Sequence, residues 1–155
     1  MKTEIRFDTD DLVKELEKAG DEIVKRAAPT AALYGAKVFY KGLETEVPRS
    51  VKGHWFSVKK SDKYWFDAGS LLKAMYVGYD KHASTDTLKV YKVGWVHKDA
   101  PYGYMVARGT KLETGGVKTP ANPFMRRTFQ KASAEAVQAS ADRFFVIAKE
   151  VLDGR

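Results

Sequence analysis

Apolar residues Leu12, Leu16, Ala19 and Ile23 recur at spacings of four, three and four, one face of an amphipathic helix, and Asp8, Thr9 and Asp10 supply an N-cap ahead of them. Gly20 and Pro29 interrupt the pattern. The spacing therefore predicts a first helix over 10–27 and a second, opened by Pro29 or Thr30, that stops at Pro48. The second carries Leu33, Ala36, Tyr40, Leu43 and Val47. Its small residues Ala31, Ala32, Gly35 and Ala36 leave one side thin enough for another backbone to approach closely. Before the first helix, residues 3–7 alternate as a short strand.

From Arg49 the period changes. Two aromatic stretches, "HWFSV" and "KYWFD", flank "KKSD" and predict a hairpin or extended arm over 51–67. Next come a helical turn at 70–73, a strand at 74–79, a turn at 81–86 and a strand at 88–95, the two strands pairing antiparallel. A short helix ends at Gly109. Residues 110–121 read as a Gly/Lys/Thr loop, expected to be mobile in a free protomer. Asn122 is placed to cap, and Pro123 to open, a long last helix with Val137, Ala141, Phe144, Ala148 and Val151 inward. The fold class is α+β: long N- and C-terminal helices packed on a small antiparallel sheet, in one domain over 1–155.

A chain of 155 residues buries roughly 68–70% of its unfolded surface, and 44% apolar composition supplies a core. With no cysteine there are no disulfides or thiolate metal sites, and the chain suits a reducing compartment. No stretch reaches the ~18 apolar residues of a membrane span, and the N-terminus lacks a signal-type apolar run. The net charge of +7 is unevenly spread: residues 1–28 are net −2, while Arg49, Lys52, Lys59, Lys60 and Lys63 make 49–65 net +4. Lys118, Arg126, Arg127 and Lys131 make 118–131 net +4 as well. Such patches suit a polyanion or an acidic protein partner, and equally an ordinary solvated face.

The residues offer no catalytic constellation, and no cofactor or metal site is expected. His54, His82 and His97 lack ligand spacing, and the adjacent His97, Lys98 and Asp99 point apart on an extended segment. Ser57, Ser70 and Ser84 lack a nucleophile-elbow context, and "GTKLETGG" is not a phosphate loop. Trp55, Phe56, Tyr64, Trp65 and Phe66 beside lysines could stack on single-stranded bases, but alternation sends about half of these rings toward a core. Core packing plus subunit contact is the stronger reading.

Three segments in order, "YWFDAGSLLKAMYVGY", "VYKVGWVHKDAPYGYMVARGT" and "PANPFMRRTF", together resemble the tail-completion proteins of tailed double-stranded-DNA phages. This is the gene-product-ten-like family of head–tail joining and tail components. Gly69, Ser70 and Leu71 match its first turn; Pro101, Tyr102, Gly103, Tyr104, Gly109 and Thr110 match its second motif. Pro120, Asn122, Pro123, Phe124 and Arg126 match the third. The likeness spans about residues 64–129, departing at Ala107-Arg108 and in a longer 110–121 loop. The resemblance implies a non-enzymatic virion protein of the tail or neck, assembled in the host cytoplasm, that forms an oligomeric ring expected to be hexameric. Its implied partners are itself, the connector or head-completion protein, and the tail terminator or tail tube protein. Non-specific contact with packaged DNA is compatible with the charge, and no membrane is involved. Tyr102 and Tyr104 would then lie over the sheet, with Phe124 anchored in the core. Candidate subunit contacts are Trp55, Phe56, Tyr64 and Trp65 on the arm and Ala32, Gly35 and Ala36 on the second helix. The alternative is a basic nucleic-acid-binding module.

Overall fold

The structure, a computed structural model, describes residues 10–59, 62–111 and 117–154. In chain order the elements are α1 (Asp10–Glu46), β1 (His54–Lys59), β2 (Asp62–Phe66), α2 (Ser70–Lys73) and β3 (Met75–Tyr79). They continue as β4 (Tyr91–Trp95), α3 (Gly103–Arg108), β5 (Thr110–Lys111), β6 (Val117–Thr119) and α4 (Phe124–Asp153). The α+β class stands, and the short strands form three two-stranded antiparallel ribbons: β1–β2, β3–β4 and β5–β6. No helix among the described residues is long and apolar enough to cross a membrane.

The first correction is that the two N-terminal helices are one, with Pro29 inside it. A proline there removes a helical hydrogen bond, at a cost of about 3 kcal/mol or more. A row shared by both halves offsets this. Ala19, Ile23, Ala27, Ala31, Gly35, Phe39, Leu43 and Val47 recur every four residues, each buried or packed on a core cluster. On α4 the same spacing links Phe124, Thr128, Ala132, Ala136, Ser140 and Phe144. The rows meet antiparallel: Glu46 pairs with Arg127, Gly35 lies against Ala136 and Ser140, and Ala27 clusters with Ile147 and Val151. Ridges of every fourth residue on both helices are a common way for helices to interdigitate.

The approach is close. A β carbon on Gly35 would collide with the Ser140 hydroxyl and stand 3.0 Å from the Ala136 carbonyl oxygen. One on Gly42 would stand 3.0 Å from the Thr128 methyl. The hydroxyls in this seam satisfy themselves on their own helix: Thr128 Oγ1 donates to the Phe124 carbonyl and Ser140 Oγ to that of Ala136, both at 2.9 Å. The second correction concerns α4's inner face. Val137 is 70% exposed, and the buried positions are Phe124, Thr128, Ala132, Ile147 and Val151. A four-residue row advances by about 40° per step, so the contact face turns steadily along the helix.

One core cluster gathers Leu43, Val47, Leu71, Ala74, Met75, Ala100, Tyr102 and Phe124 where α1 ends and α4 begins. A smaller one, Ala27, Ile147 and Val151 with Ile23 and Phe144, holds the far end of the helix pair. The expected strand at 3–7, the N-cap at Asp8 and Thr9, and Lys60 lie outside the described residues. The expected mobile loop is strand-paired at its ends, Thr110 with Thr119 and Lys111 with Val117; residues 112–116 lie outside the described ones.

Gly35→Val should destabilise the chain by about 1–3 kcal/mol through overpacking of the seam. Gly20 also lies within α1, but a β carbon there would meet no atom within 4 Å, so Gly20→Ala should stabilise by roughly 0.5–1 kcal/mol. Urea midpoints of the two variants should move in opposite directions.

Candidate functional site

The three sequence motifs, far apart in the chain, converge on one joint. Gly69 precedes α2 with φ +72°, a left-handed conformation natural to glycine, and its N–H donates to Ser50 Oγ at 3.3 Å. The next two residues turn Leu71 into the main core. Tyr102 is buried against His54, Phe56 and Phe66, at ring-centroid distances of 4.7, 5.8 and 5.2 Å. Burial pushes its hydroxyl above the usual tyrosine pKa, with hydrogen bonds to the Ser70 side chain and the Leu71 backbone pulling the other way. The first and second motifs are thus bonded to each other. Gly103 admits Trp95, whose Nε1 would stand 2.6 Å from a β carbon there.

The third motif docks on the second. Gly109, at φ +76°, lies where a β carbon would stand 2.6 Å from the Thr119 carbonyl oxygen and 2.7 Å from the Ala121 nitrogen. The Asn122 N–H donates to the Val106 carbonyl at 3.0 Å, and Phe124 is fully buried, 6.1 Å from Trp95. Thr110 opens β5, while Pro120 and Arg126 are exposed. Tyr104 is half-exposed under the Arg108 guanidinium and lines a groove with Val93, Gly94 and Trp95 of β4. One expectation is corrected here. Asn122 does not cap α4: Pro123 holds that position, and Asn122 Oδ1 instead accepts from Arg127 Nη2 at 2.6 Å.

The β1–β2 hairpin divides its aromatics by alternation. Its register sets His54 opposite Phe66, Trp55 opposite Trp65 and Phe56 opposite Tyr64. Phe56 and Phe66 face the core and are half-buried, while Tyr64 shares their face but lies exposed beyond the core. Trp55 and Trp65 point outward, 65% and 52% exposed, their rings edge to face at 5.4 Å. A cavity of about 470 Å³ opens beside Trp55 between Phe56, Ser57 and Lys63. The thin side of α1 is largely used within the chain, Gly35 being buried against α4. Ala32, Gly35 and Ala36 line only a shallow groove of about 320 Å³ with Tyr91, Ala136 and Val137.

Two carboxylates that sequence reasoning missed organise the cations. Glu46 accepts from Lys131 and from Arg127 Nε, the latter at 2.9 Å, so the 118–131 patch is partly neutralised by α1. Asp80 accepts from the backbone N–H groups of His82 and Ala83 and pairs with Lys92, fixing the β3–β4 connection. An aspartate opening a turn after a strand was the available signal for the second; an 81-residue separation hid the first. Among the described residues no group of three or more His, Asp or Glu could hold a metal ion.

No protein-family model, curated protein or solved structure matches the chain. Its surfaces must be read from their own geometry.

Hydrogen bonding to Lys131, then Arg127, holds the Glu46 carboxyl below its ordinary range, and Lys92 does the same for Asp80. A carboxyl more acidic in the fold than in the unfolded chain stabilises fully above its ordinary pKa, and that contribution is lost as pH falls through the folded value. The melting temperature should therefore drop below about pH 4. Glu46→Gln and Asp80→Asn should each flatten that decline, as followed by circular dichroism across the pH series.

Proposed function

We propose that this chain is a non-enzymatic structural protein of a tailed-phage virion, a tail-completion or neck component that acts as a ring of identical subunits, expected to number six. The ring would sit between the head connector or its completion protein and the tail terminator or tail tube, after assembly in the host cytoplasm. One observation carries the reading: the three motifs that resemble the tail-completion family pack on one another as a single joint. Leu71 packs against Tyr102 and Gly103, and Gly109 and Val106 meet the segment that starts α4. Residues matched in three separate segments thus lie together in one packed unit, which supports the reading. The outward Trp55 and Trp65 give such a protomer a surface for its neighbours.

The second reading, a basic nucleic-acid-binding module, is favoured by those same rings beside Lys63. Against it, Asp67 stands at the edge of Trp65 and accepts from its Nε1 at 3.0 Å, a carboxylate where a phosphate backbone would pass. Electron microscopy of particles made without this chain separates the readings. Filled heads and unjoined tails are expected; complete, joined particles would sink the virion reading. In a gel-shift titration duplex DNA should bind only non-specifically, at roughly 10⁻⁴–10⁻⁶ M at physiological salt. Tighter, sequence-preferring binding would favour the second reading.

A further inference from the structure

We infer that copies of this chain join head to tail, the outer face of the β1–β2 hairpin of one seated on the far end of the α1–α4 pair of the next. The inference rests on the ring reading for closure of the assembly; the contact itself is argued from two surfaces of this protomer.

The first surface is built in advance. Trp65 is fixed by its bond to Asp67 and by lying over Gly53, where its Cε2 would stand 2.8 Å from any β carbon. Trp55 packs edge to face on it, and the 470 Å³ cavity beside Trp55 can receive an apolar side chain. The second surface lies at the other end of the helices. Phe145 and Leu152 are 68% and 55% exposed and seven residues apart, on one face of α4. Between the two ends, α1 runs from Leu43 in the main cluster to Ala27 in the far one, about 24 Å at 1.5 Å per residue. A protomer cannot close this contact on itself.

Charge selects the partner. Residues 49–67 carry five basic side chains against Asp62 and Asp67, the latter at the edge of Trp65. The far end, residues 10–28 with 140–153, carries nine acidic against six basic, and Asp142, Glu150 and Asp153 are exposed. Hairpin against hairpin, or far end against far end, would bring like charges together; hairpin against far end brings opposite ones together. A contact between two different surfaces repeats into a ring or a filament.

The test uses two double variants and sedimentation velocity at low salt up to millimolar concentration. Trp55→Ala with Trp65→Ala removes one surface; Phe145→Ala with Leu152→Ala removes the other. The unmodified chain should form multimers that weaken with added salt, and each variant alone should associate roughly 30- to 1,000-fold less tightly. Mixed one to one, the variants should form a complex of one copy each and grow no further, since each keeps one intact surface. An unmodified chain that stays monomeric, a far-end variant that still multimerises, or a mixture that stays monomeric overturns the inference. So does tight binding of oligo(dT) that quenches the hairpin tryptophans. Should the Ala variants lose their melting transition, Lys63→Glu and Phe145→Glu are mixed instead, with the same outcomes expected, because the two altered surfaces carry like charge and do not meet. Solution contact with no effect on particles would sink only the virion reading; particles that need the chain but show no such contact would sink only this one.

Discussion

The closeness of α1 and α4 is the constraint on which the rest of the structure depends. Gly35 has no room for a β carbon because the Ser140 hydroxyl and the Ala136 carbonyl lie against it, and Gly42 has little because of Thr128. Once this register is set, Glu46 is carried to Arg127 and Lys131 at one end, and Ala27 to Ile147 and Val151 at the other. Phe124, the first residue of α4, is pushed into the main core because the seam leaves its row no other direction. A single packing geometry thus fixes ion pairs, core and the aim of two helix ends.

The joint of three motifs hangs from this frame. Tyr102 spans it: its ring is held by hairpin aromatics and its hydroxyl by the α2 turn. Gly103 and Gly109 are required for different reasons. At Gly103 the obstacle is Trp95 and Leu71 side chains; at Gly109 it is both a positive φ and the backbone of the segment leading to α4. A larger residue at Gly103 would displace Trp95 and Leu71, and one at Gly109 would displace the segment leading into α4.

What was legible in the sequence was local. The hairpin, the α2 turn, the β3–β4 pair and the Gly109 stop each follow from residues within a few positions of one another, and each is found near its expected place. What was not legible depends on partners distant in the chain. Pro29 reads as a helix break until α4 supplies the packing that outweighs it. Val137 reads as inward by counting along α4 alone, but its facing row comes from α1. The basic 118–131 segment looks unopposed because Glu46 lies on another element, and Asn122 looks like a cap because Arg127 does not yet compete for its oxygen. For the candidate surface, alternation predicted that the hairpin aromatics divide. Only the register showed that the two tryptophans share the outer face.

The same rigidity decides how the exposed apolar groups can be used. Trp55 and Trp65 are held by each other, by Asp67 and by Gly53, so ordering them at a contact costs little of the side-chain entropy that usually opposes association. Their mutual edge-to-face packing also shields part of each ring while the protomer is alone. The two long helices, bound along a seam with no slack, keep this face and the Phe145–Leu152 face at separate ends of the molecule. A flexible connection would let one chain fold back and hide both; a stiff helix pair leaves each to be covered from outside.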